Sequence, residues 1–96
     1  METLKNEPLF ELGQVVTTPG AIDLLTEYNR SSREFLARHL NGDWGDLSPE
    51  DIAENELSLR EGFRLFSSYK LGEDEKLWII TEADRSSTCL LRPDEY

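Results

Sequence analysis

Hydrophobic and polar positions alternate most cleanly in the last third of the chain. Phe63, Leu65, Ser67, Tyr69 and Leu71 interleave with Arg64, Phe66, Ser68 and Lys70, and this period of two predicts a strand over 63–71. Leu71-Gly72-Glu73-Asp74-Glu75-Lys76 reads as an acidic hairpin turn. Beyond it Leu77, Ile79 and Thr81 point one way while Trp78, Ile80 and Glu82 point the other, so a strand over 76–82 is apolar on both faces. Such a strand belongs inside a sheet, with helices on one side and further cover on the other. Residues 83–87 turn the chain into a strand over 88–92, where Cys89 and Leu91 oppose Leu90 and Pro93 ends the run. The C-terminal third is therefore a β-meander.

Upstream the period lengthens. Residues 1–8 are a polar lead-in, expected to be mobile. A β-branched run predicts a strand over 12–17, able to join either edge of the sheet. Thr18-Pro19-Gly20 signals a helix start, with a hydroxyl cap and proline at the first helical position. Ala21, Ile22, Leu25 and Tyr28 give that helix an apolar face ending near Asn29. Ser31-Ser32-Arg33-Glu34 matches a capping box for a second helix carrying Phe35, Leu36, His39 and Leu40, stopped by Asn41-Gly42. After a Gly42-Asp43-Trp44-Gly45-Asp46 loop, Ser48 and Pro49 open a third helix with Glu50 and Asp51 in its first turn, where the helix dipole favours acids. Ile52, Glu56, Leu59 and Phe63 share its inward spacing, Ala53 and Leu57 broaden the stripe, and Gly62 stops it. The expectation is one α+β domain over 1–96, three helices packed on an antiparallel sheet of three to four strands.

Composition narrows the function classes. Ninety-six residues make one domain. A formal net charge of −10 opposes general affinity for nucleic-acid backbone, which needs clustered Lys and Arg. It suits a protein partner with a basic surface. The acids gather: residues 43–61 hold seven against Arg60, a net of −6, while Arg30, Arg33 and Arg38 against Glu34 leave the second helix at +2. No apolar run approaches the ~18 residues of a membrane span. The polar, partly acidic start does not read as a secretory signal, and the single Cys89 cannot form an internal disulfide, so the expected location is cytoplasmic. One His, one Cys and scattered acids give no zinc or calcium spacing, and no glycine-rich phosphate loop is present, so no metal or cofactor is expected. Oligomeric state stays open.

Two sets of residues carry candidate chemistry. His39 is either a half-buried packing residue or a general base oriented by Asp43 or Asp46. The turn between the last two strands gathers Thr81, Glu82, Asp84, Arg85, Ser86, Ser87 and Thr88. These could be local turn bonds. Alternatively Glu82 and Arg85, with Arg64 and His39, form the acid–base and anion-stabilising set of a small ribonuclease or nucleotide-processing enzyme of the barnase or RelE kind, a fold-level analogy. Trp78 and Trp44 read as core or loop anchors, though Trp44, between two glycines, also suits a partner contact. Cys89 reads as an inert core thiol.

Leu12-Gly13-Gln14-Val15-Val16, Thr18-Pro19-Gly20-Ala21, His39 with Gly42-Asp43-Trp44-Gly45, Arg64, Ser67 and Tyr69 form one pattern, continued by Trp78-Ile79-Ile80-Thr81-Glu82-Ala83-Asp84-Arg85-Ser86, Thr88, Pro93, Glu95 and Tyr96. In it the chain resembles a family of short bacterial proteins of plasmids and other mobile elements, labelled only plasmid-related or hypothetical. Cys89 and Arg92 depart from it, where plainer residues are expected. The resemblance implies a mobile-element setting, and through it a bias toward defence, counter-defence or toxin systems. The first functional expectation is a small acidic binding protein, of anti-restriction or anti-CRISPR type, contacting a basic nucleic-acid-handling partner through Asp43, Trp44, Asp46, Glu50, Asp51, Glu54 and Glu56. The alternative is the enzyme built on His39, Arg64, Glu82 and Arg85.

Overall fold

The computed structural model describes residues 8–96, so the expected lead-in, but for Pro8, lies outside the described residues. Strands β1 (Gln14–Thr17), β2 (Leu65–Lys70), β3 (Lys76–Thr81) and β4 (Ser87–Leu91) form one sheet in the order β1-β4-β3-β2. Helices α1 (Pro19–Glu27), α2 (Ser32–Leu40) and α3 (Pro49–Glu61) lie between β1 and β2, and a 3-10 turn (Pro93–Glu95) follows β4. The α+β architecture and the C-terminal meander are as the sequence predicts. β1 settles beside β4 and runs parallel to it, Val15 opposite Thr88 and Thr17 opposite Leu90, so the sheet is mixed rather than antiparallel throughout. The chain between them, three helices and the β2–β3 hairpin, makes this possible, since a parallel neighbour cannot be reached by a tight turn.

The inner face of the sheet holds the core. Ala21, Leu24 and Leu25 of α1 and Phe35 of α2 bury against Tyr69, Leu77, Ile79 and Leu90. Full burial of each large apolar side chain contributes about 1.5–3 kcal/mol. The caps of α1 and α3 form as predicted: the Thr18 hydroxyl accepts from the Ala21 N–H at 3.1 Å, and Ser48 from Asp51 at 3.2 Å. The α2 capping box does not. Ser31 accepts from the Arg33 N–H at 3.2 Å, while Glu34 pairs with the Arg30 guanidinium, whose charge outcompetes a backbone N–H.

Among the described residues no α-helix covers the outer face. There Trp78 packs edge-on against Phe66 at 5.0 Å and Tyr96 at 5.9 Å, the latter delivered by the 3-10 turn. Glu95 anchors that turn: its carboxylate accepts from the Thr18 hydroxyl at 2.6 Å and the Gly20 N–H at 3.0 Å, at the N-terminus of α1.

The stripe expected for α3 is corrected. Ile52 is 39% exposed and Phe63 51%, whereas Asn55 and Ser58 are buried. The helix lies against the edge of β2, where a carboxamide is worth more than an apolar group. Asn55 Nδ2 donates to the Phe66 carbonyl at 2.7 Å and its Oδ1 accepts from the Phe66 N–H at 3.1 Å, as a neighbouring strand would. Further along the same edge the Ser68 N–H donates to the Trp44 carbonyl at 3.0 Å and the Asp46 N–H to the Ser68 carbonyl at 2.6 Å. Gly45 makes that approach possible: its φ is +81°, and a Cβ there would run into the Ser68 carbonyl. The β2 edge is thereby closed.

Candidate functional site

His39 reaches the inner face from the last turn of α2, and none of it is exposed. Its Nδ1 lies 2.6 Å from the Ser67 hydroxyl and its Nε2 2.9 Å from that of Thr81. Thr81 lies 2.7 Å from Thr88, whose hydroxyl donates to the Leu12 carbonyl at 2.7 Å. That carbonyl can only accept, which fixes every proton in the chain. Thr88 donates to Leu12, so Thr81 donates to Thr88 and must accept from His39 Nε2–H; Nδ1 then accepts from Ser67. The Leu9 N–H donates to the Leu40 carbonyl at 2.9 Å, and the adjoining Phe10 ring stands edge-on to His39 at 5.1 Å, with Trp44 edge-on at 5.7 Å. Burial, with the nearby charge of Arg85, pulls the imidazole pKa down from 6.5 to about 3. The ring is neutral at ordinary pH and both its nitrogens are engaged.

The carboxylates expected to orient His39 are occupied elsewhere. Asp43 accepts from Arg38 at 2.7 and 3.4 Å and from the Gly45 N–H at 3.3 Å, and the Arg38 guanidinium holds its carboxyl below the ordinary value. Asp46 lies 3.3 Å from Lys76 Nζ. Orientation of His39 comes from hydroxyls instead.

The polar turn between β3 and β4 divides in three. Thr81 and Thr88 face inward, into the His39 chain. Asp84 accepts from the Ser86 N–H at 3.0 Å, a local turn bond. Arg85, at φ 60°, lays its guanidinium on main-chain carbonyls: Phe63 at 2.6 Å, Ala83 at 3.0 Å, Glu82 at 3.1 Å and Ser58 at 3.0 Å. It ties the C-terminus of α3 to the turn. Arg64 and Glu82 meet 3.5 Å apart, both about half exposed, and Arg64 donates to the Tyr96 hydroxyl at 3.2 Å. Arg64 rims an outer-face groove of about 240 Å³ floored by Phe66, Trp78, Ile80 and Tyr96. The expected set of His39, Arg64, Glu82 and Arg85 does not converge. His39 is sealed inside, Arg85 is held by carbonyls, and only Arg64 and Glu82 share a surface.

Trp44 is the anchor that one of its two expectations describes, and the partner contact is corrected. It is 4% exposed, stacked on Phe10 at 6.3 Å, with Nε1 donating to Glu56 at 3.4 Å. It is a core anchor, not an exposed contact. Cys89 lies half-buried on the outer face rather than in the core, and burial raises its thiol pKa, which weakens it as a nucleophile.

Glu50, Asp51, Glu54 and Glu56 are all exposed on α3, and Glu61 extends the series. Among the described residues none of Glu50, Asp51 or Glu54 forms an ion pair. Asn55 carries no signal of its own in the sequence, and Ser67 stands there as a strand position and a member of the resemblance pattern only. Ser67, Thr81 and Thr88 stand at inward positions of their strands, and polar residues in that register mark a buried network. Among the described residues no group of His, Cys, Asp and Glu is placed to hold a metal ion, and no helix is long and apolar enough to cross a membrane. No protein-family model, curated protein or solved structure matches the chain.

Proposed function

We propose that the chain is a small acidic binding module that docks the outward face of α3 on a basic protein surface. The observation that carries this is the charge of α3 set against its packing. The helix bears Glu50, Asp51, Glu54, Glu56 and Glu61 against Arg60, a net of −4. The helix dipole accounts for Glu50 and Asp51. Nothing in the fold calls for Glu54 or Glu61, and Asp43 and Asp46, already paired, leave the surface narrower than the sequence suggested. An unpaired acidic face of this kind steers a basic partner and favours one orientation of docking. The resemblance to plasmid-related proteins gives the concrete form, an inhibitor occupying the basic surface of a nucleic-acid-handling enzyme.

The test is affinity capture from the native host with the wild-type chain as bait, identified by mass spectrometry. A basic, nucleic-acid-handling protein is expected. Its capture should weaken as salt rises and vanish for the combined Glu50→Lys, Asp51→Lys, Glu54→Lys and Glu56→Lys variant. Recovering no such protein, or recovering it equally with the reversed helix, would end the proposal.

A further inference from the structure

The two edges of the sheet are treated differently. The β2 edge is closed by Asn55 and by the strand-like Trp44 to Asp46 segment. Among the described residues nothing closes β1. The Gln14 N–H donates to Ser86 and the Thr18 N–H to Leu90, each at 3.0 Å, so by alternation the N–H and C=O groups of Val15 and Thr17 point away from the sheet.

This edge also lacks the usual defences against pairing, for it carries no charge and no proline. Residues 12–22 are eleven consecutive positions without a charged side chain, the longest such run in a sequence that is 31% charged. Within it Val15 is 41% exposed and Val16 44%.

We propose that β1 pairs antiparallel with β1 of a second copy of this chain, about a two-fold axis at Val16. In that register Val15 of each copy faces Thr17 of the other and exchanges both backbone hydrogen bonds, four in all. Val16 meets Val16 across the axis as the close, non-hydrogen-bonded pair. On the outer face Phe66, Ile80, Cys89 and Val16 already stand in one row across the four strands. The two-fold extends that row, all of it apolar, unbroken through both copies.

Charge selects the occupant. A chain of net charge −10 repels its own copy, and the uncharged run is where two copies approach with least repulsion. An unlike partner recognised by its charge finds no complement there. α3 lies at the opposite edge, so the two acidic helices stay at the far ends of the joined sheet. Two four-residue strands bury far less than the ~1,600 Å² of a standard interface, so association is weak and depends on concentration. The proposal does not rest on the partner assigned to α3.

The test combines sedimentation with residue-resolved amide exchange from roughly 10 μM to 1 mM. The apparent mass should rise from one chain toward two. Exchange at Val15 and Thr17 should slow at least about tenfold, while Val16, bonded to β4 throughout, stays unchanged. Val15→Pro removes only an outward N–H and should remain a monomer with an unaltered near-ultraviolet spectrum. Val16→Lys places like charges on the axis and should do the same should the proline disturb the fold. A wild-type chain that sediments as one copy throughout overturns the proposal. So does concentration-independent exchange at Val15, which would mean an edge always open or covered by its own chain. A Val16→Lys variant that pairs as well as wild type overturns it equally.

Discussion

The cluster around His39 and the outer face of α3 are both rich in polar side chains, and the fold uses them in opposite ways. Around His39 they turn inward and close on one another; among the described residues no buried side-chain nitrogen or oxygen lacks a hydrogen-bond partner. Along α3 the acids turn outward, and all but Glu56, which meets Trp44, stay open among the described residues. A satisfied buried network holds a unique packing, whereas an unpaired charged face contributes little to stability and is free to meet something else. Polar density along a sequence therefore does not locate function by itself. What separates the two regions is whether the hydrogen-bonding capacity is already filled.

The comparison breaks most visibly if His39 proves dispensable. His39→Ala removes a fully buried ring packed edge-on against Phe10 and Trp44 and strands the hydroxyls of Ser67 and Thr81. A loss of about 3–5 kcal/mol in urea unfolding is expected. The pH dependence carries the same signature. The folded ring takes up its proton only near pH 3, the unfolded ring near 6.5, so the unfolded state binds more protons between them. Stability from this group is complete above about pH 6.5 and declines as pH falls toward 3, by at most about 1.4 kcal/mol per pH unit. His39→Gln should flatten that slope. If the slope is unchanged, the ring is not held neutral by burial.

Arg85 tests whether the turn is architecture. Arg85→Ala leaves the Phe63 and Ala83 carbonyls without their donor, while those of Ser58 and Glu82 keep the Gly62 and residue-85 N–H groups, and should cost about 1–3 kcal/mol. Arg85→Lys should restore only part of that, because an ammonium cannot span the same fork. An Arg85→Ala variant of undiminished stability would return the residue to the list of free functional groups. Asn55→Ala comes next, at about 1–3 kcal/mol, since the Phe66 N–H and C=O lose both partners. It should also raise aggregation measured by light scattering, because it uncovers the β2 edge.

These residues show how much of the molecule could be read in advance. The three helices, two of their caps, the meander and the two faces of β3 follow from local periodicity and capping, which depend on neighbours in sequence. The parallel placement of β1, the inward Asn55 and the partners of His39 do not. His39 to Thr81 spans 42 positions and Thr88 to Leu12 spans 76, contacts that only the assembled sheet creates. Asn55 is hidden for the opposite reason: the stripe of Ile52, Leu59 and Phe63 has the spacing of a buried face, yet an edge-on helix needs a group that can pair with backbone. The candidate enzyme set failed for want of this long-range information: alternation turns Glu82 to the outer face, but only the assembled sheet places His39 against the inner one, beside Thr81.

The smallest expected effect on stability belongs to the region with the largest expected effect on binding. Glu54→Lys and Glu61→Lys lie beyond the first turn of α3, on its exposed side, and make no ion pair among the described residues. Each should change unfolding free energy by no more than about 0.5 kcal/mol. Glu50→Lys and Asp51→Lys also oppose the helix dipole and should cost about 0.3–1 kcal/mol each. Thermal unfolding and partner capture measured on the same four variants separate the two roles. If Glu54→Lys destabilises the chain by as much as Asn55→Ala, the acids of α3 serve the fold as His39 does, and the contrast between the two regions disappears. If it leaves stability intact and abolishes capture, the open face is the working surface and the closed cluster is its support.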